Sequence, residues 1–104
     1  MQFFITALLL AIPYVFADDG DVIGNLHPDS RCWTKIYHPI VDNACTPVVN
    51  SKSAMLTYNT FCFLYKKEDC SDSRPKDVFL RPSCHTMEEI SKDKFAAMKC
   101  FGQT

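Results

Sequence analysis

The chain has 104 residues, 47% of them hydrophobic, with 11 basic and 12 acidic side chains and a formal net charge of −1. That length is enough for one domain, and the near-neutral balance provides no field to draw the chain onto nucleic acid or an anionic membrane. Cationic antimicrobial peptides, nucleic-acid binders and heparin binders are disfavoured together.

The chain opens MQFFITALLLAIPYVFADDGD. Residues 1–17 carry no charged side chain. The apolar block 3–12 has the length of an export h-region and falls short of the roughly 20 residues a helix needs to span a bilayer. Pro13 breaks the helical pattern, Val15 and Ala17 suit a leader-peptidase site, and acid follows at once. Residues 1–17 are therefore expected to be a signal peptide cut after Ala17, although its start lacks Lys and Arg. A short retained anchor is the competing reading. Residues 18–30, DDGDVIGNLHPDS, hold two of the three glycines and four aspartates and read as a flexible acidic leader. Residues 31–104 read as a single disulfide-stabilised domain.

Within that domain, RCWTKIYH over 31–38 alternates β-branched and aromatic residues and predicts a strand ended by Pro39. Asp42, Asn43, Pro47 and Asn50 mark turns, with a short edge strand over 46–49 because Pro47 cannot donate to a central ladder. The run AMLTYNTFCFLY over 54–65 is the strongest strand signal. Leu56, Tyr58, Cys62 and Leu64 share one parity, and its end is apolar on both faces, as in a central strand covered on each side. KKEDCSDSRPKD over 66–77 is a polar loop, and VFLR over 78–81 a further strand. Thr86 with Glu89 forms a capping box, and the spacing of Met87, Ile90, Met98 and Phe101 predicts an amphipathic helix over 86–99, with Lys94 a flaw in its apolar stripe. The expected fold class is α+β: a small disulfide-rich domain with a short antiparallel sheet and a C-terminal helix packed on it.

All six cysteines, Cys32, Cys45, Cys62, Cys70, Cys84 and Cys100, follow the leader. An even number in a short exported chain reads as three disulfides. The intervals between them are 12, 16, 7, 13 and 15 residues, with no close pair of the kind that holds zinc. Fifteen pairings are open to six cysteines, so the connectivity is not legible. A mature chain of this size has a marginal core, and each disulfide offsets that by roughly 2–4 kcal/mol.

Chemistry-bearing residues are sparse. Of the histidines, His27 lies in the leader, and His38 and His85 at element edges. A ribonuclease-like pairing of His38 with His85 is the sharpest enzymatic idea, against solvated surface imidazoles. No nucleophile-elbow pattern surrounds Ser30, Ser51, Ser53 or Ser83. Glu68-Asp69 lies in a charged loop and Glu88-Glu89 is explained by helix capping. There is no Gly-rich phosphate cradle. No catalytic residue, cofactor or metal is therefore assigned. Trp33, Tyr37, Phe63 and Tyr65 are candidates for a carbohydrate-stacking or partner-binding face, although aromatics in so small a domain more often build its core. The loop 66–77, exposed and braced by Cys70, is the other candidate surface, with Lys66, Lys67, Arg74 and Lys76 as its contacts.

The apolar opening MQFF, a mature chain of this size, six spread cysteines and no enzyme motif together resemble the small secreted cysteine-rich effectors of filamentous plant-pathogenic fungi. The likeness is one of layout over the whole chain. It implies a secreted, non-enzymatic virulence protein that binds a protein or glycan of the host outside or inside its cells. The partner list expected is correspondingly narrow: no nucleic acid, no stable membrane insertion, and a monomer. The alternatives are a toxin or antimicrobial protein, and a protease inhibitor presenting loop 66–77.

Overall fold

The computed structural model describes residues 20–103; the signal peptide expected over 1–17 lies outside the described residues. The elements are β1 (Val22–His27), β2 (His38–Val41), β3 (Cys45–Pro47), β4 (Ser53–Leu56), β5 (Asn59–Tyr65), β6 (Lys76–Leu80), β7 (Cys84–Thr86), α1 (Met87–Ile90) and β8 (Ala97–Gln103). The strands form two four-stranded sheets, ordered β2-β1-β4-β7 and β3-β8-β5-β6, antiparallel throughout.

The sheets face one another across a single core. Ile23, Leu26, Ile40, Ala54 and Leu56 come from the first sheet, and Cys62, Leu64, Leu80, Met98 and Cys100 from the second. Alternation along β5 explains the second face: Thr60, Cys62 and Leu64 are buried inward while Phe61 and Phe63 look outward and stack edge-on, Phe63 also against Phe101. The three disulfides are Cys32–Cys84, Cys45–Cys70 and Cys62–Cys100. The last joins register partners of β5 and β8 inside the core.

Five expectations are corrected. The helix over 86–99 is only α1. Its capping box is present, with Glu89 N–H donating to Thr86 Oγ1 at 3.1 Å and Thr86 N–H to Glu89 Oε1 at 2.8 Å. The rest of that segment becomes β8, a central strand with ladders on both edges. Met98, Cys100 and Gly102 turn inward and Lys99, Phe101 and Gln103 outward, a period of two that the helical stripe obscured. The α+β class thus gives way to a disulfide-rich antiparallel sandwich with one helical turn.

The leader over 18–30 is not a leader where it is described. Its residues 22–27 are β1, paired on both sides, with Ile23 and Leu26 in the core. Four aspartates hid a short apolar strand. Conversely, residues 31–37 form no strand, because Cys32 adopts φ 58° and the local N–H groups bond to Asp29 instead of a ladder. The run 54–65 breaks at Thr57 and Tyr58, so β4 and β5 serve different sheets while Leu56, Cys62 and Leu64 keep the same inward parity. The edge strand at Pro47 is β3, and Pro39 sits in β2, also an edge.

Candidate functional site

Register places one set of loops together. His27, Ser53 and Thr86 are cross-strand partners in the first sheet, and Pro47, Ala97 and Tyr65 in the second. The chain passes from Pro47 to Ser53 and from Thr86 to Ala97, so these ends adjoin. Two surfaces rise there.

The first is the β1–β2 connection. Asp29 organises it: one carboxylate oxygen accepts the Arg31 and Trp33 N–H groups at 3.1 and 3.0 Å, and the other accepts the Thr34 N–H and hydroxyl at 3.2 and 2.8 Å. These donors, the Trp33 N–H first, hold its carboxyl well below the usual carboxylate range. Buried Ser53 ties the loop to β4, donating to the Asp29 carbonyl at 2.6 Å and accepting the Cys32 N–H at 3.2 Å. The Cys32–Cys84 bridge ties it to β7. His27 Nδ1 lies 3.2 Å from the Thr34 carbonyl, which only accepts, so Nδ1 carries the proton. So fastened, the loop exposes Trp33, Ile36 and Tyr37 at 75%, 81% and 51% of their surfaces, with the Arg31 guanidinium 5.1 Å from the Trp33 ring centre.

The second surface is a hollow of about 460 Å³ between the β5–β6 loop and the α1–β8 connection. Lys66, Lys67, Arg74, Lys76 and Lys94 line it with Asp72, Asp93, Leu64 and Phe95. Both Asp72 oxygens are engaged by backbone, taking the Lys66 N–H at 2.7 Å and the Lys67 N–H at 3.1 Å. Cys45–Cys70 anchors this loop to β3, and Ala96 N–H donates to the Tyr65 carbonyl at 2.8 Å to hold the opposite wall.

The structure therefore gathers Lys66, Lys67, Arg74 and Lys76 around one hollow. Lys94 and Phe95, absent from the sequence-based candidates, complete it; the signal was Lys94 interrupting the expected helical stripe. Of the aromatic candidates, Trp33 and Tyr37 stand on the surface, Phe63 is half-buried on an outer sheet face, and Tyr65 is buried. Ile36 gave no signal beyond its place in the misread strand.

The histidines do not converge. His38 and His85 lie on β2 and β7, opposite edges of one sheet, three strand spacings or about 14 Å apart. His27 is buried rather than in a leader. His85 Nε2 is 2.7 Å from the Arg81 carbonyl and 3.1 Å from Ser83 Oγ. The carbonyl requires Nε2 to be the donor, and that tautomer cannot take a proton from Ser83. Among the described residues, no three His, Cys, Asp or Glu side chains gather as a metal site, and no helix is long and apolar enough to cross a membrane. No protein-family model, curated protein or solved structure matches the chain.

Proposed function

We propose that this chain is an exported, disulfide-braced, non-enzymatic binding protein of the effector type, acting on a host component through the loop 28–37. The observation that carries this reading is the exposure of Trp33, Ile36 and Tyr37 on a loop already fastened by Asp29, Ser53 and a disulfide. Large apolar side chains grouped on one exposed loop mark a contact site where scattered ones would not, aromatic and Arg anchors dominate binding energies, and a loop ordered in advance spares the entropy cost of ordering on binding. Export is supported by the three disulfides, which persist in oxidising compartments, and by the apolar opening. The inhibitor reading ranks lower, because the β5–β6 loop over 66–75 folds back around Asp72 into the wall of a hollow instead of projecting toward a cleft, and residues 76–77 of the expected loop belong to β6.

The test is complementation. A strain lacking the gene should grow normally in culture and colonise its host poorly. The wild-type gene should restore colonisation, and a Trp33→Ala/Ile36→Ser/Tyr37→Ala variant with unchanged thermal unfolding should not. Full rescue by the triple variant, or normal colonisation by the deletion strain, rejects this function.

A further inference from the structure

We propose that the basic hollow beside the β5–β6 loop is a binding site for a small polyanion: a sugar-sized ring bearing several phosphate or sulfate esters. The chain as a whole carries a formal charge of −1, yet five cationic side chains and only two carboxylates line this one hollow. Asp72 opposes an anion less than its charge suggests, since both its oxygens already accept backbone N–H groups. Arg74 offers a planar fork matched to an oxyanion, and the lysines supply compact mobile charges.

The rest of the site selects for size and shape. Half-buried Phe95, packed against the core with buried Leu64 behind it, gives an apolar surface against which a ring face can lie. A volume of about 460 Å³ falls in the range of small-molecule sites. The two walls are fixed independently, one by Cys45–Cys70 and the other by the bond from Ala96 to Tyr65. Surface charges more than about 8 Å apart are screened at physiological salt, so a chain with no overall positive charge attracts a compact polyanion at this spot better than a long one along its surface. The site is separate from loop 28–37, and its failure leaves the function proposed above standing.

Inositol hexakisphosphate and inositol hexasulfate, the same ring with either ester, are titrated calorimetrically into the oxidised protein at physiological ionic strength. At least one probe should bind with one-to-one stoichiometry and shift the NMR signals of Leu64 and Phe95. Arg74→Ala/Lys94→Ala, which removes one cation from each wall, should weaken binding at least about tenfold. Arg31→Ala/Lys35→Ala, which removes the same charge from the other loop, should change it less than about twofold. Preference for one probe assigns the ester as phosphate or sulfate. Binding of neither probe, equal weakening by both double variants, or signal shifts spread over all lysines instead of this hollow overturns the proposal.

Discussion

Three aspartates carry much of the local order, each by giving carboxylate oxygens to backbone N–H groups. Asp29 shapes residues 31–34, Asp72 shapes 66–67, and buried Asp42 accepts the Gly102 N–H at 2.8 Å between two sheets. None of this was legible in the sequence, where aspartates signal only turns or acidity; which N–H a carboxylate meets depends on how the chain returns. Gly24 is a second position decided by packing. A Cβ there would collide with the Met55 carbonyl and come 2.8 Å from Leu56 Cδ2, so β1 and β4 approach closely only because the side chain is absent. Gly24→Ala should therefore cost about 1–3 kcal/mol, read as a lower urea midpoint at unchanged m value. An unchanged midpoint would mean that the two strands separate freely.

At the scale of elements, patterns short in sequence were read well and those needing a partner were not. The capping box of Thr86 and Glu89 is local, and it is present. The helix it should have started stops after one turn, because Met98, Cys100 and Gly102 gain more as the inward face of a strand paired to β3 and β5. Likewise β1 was hidden among aspartates until β2 and β4 supplied its ladders. The β5–β6 loop depends on Cys45–Cys70, which spans 25 residues. Cys45→Ser/Cys70→Ser should lower stability by roughly 2–4 kcal/mol. It should also make Lys66 and Lys67 the first sites of limited tryptic cleavage, identified by mass spectrometry of the fragments. A digestion pattern like that of the oxidised wild type would show that Asp72 alone holds the loop.

The whole molecule is two sheets joined by a shared apolar core, with the buried bond from the Gly102 N–H to Asp42 as a polar tie between them. Each disulfide serves one sheet and its loops: Cys32–Cys84 the first, Cys45–Cys70 and Cys62–Cys100 the second. The chain crosses repeatedly between sheets, and the core cluster binds them. Acid should loosen this assembly. Asp29, Asp69 and Glu89 are all held below their ordinary values, chiefly by the Trp33 N–H, the Ser71 hydroxyl and the Thr86 N–H respectively. A carboxylate depressed in the folded state contributes its full stability above the unfolded value, near pH 4, and loses it as pH falls toward the folded value. The thermal midpoint should be level from neutral pH to about pH 5 and decline below about pH 4; a midpoint that rises on acidification contradicts these assignments. Composition and spacing determined by themselves that the cysteines pair off and that the chain is a small disulfide-rich domain containing antiparallel sheet, but not that the expected C-terminal helix would give way to a strand. The cap at Thr86, the edge character of Pro47 and the parity of 56–64 were legible too, because each depends on residues close in sequence. The pairing of the cysteines, the sandwich, the exposure of Trp33 and the gathering of Lys66, Lys67, Arg74 and Lys76 with Lys94 were decided only by tertiary structure. Each of those joins residues far apart in the chain, and whether they meet depends on which strands find each other.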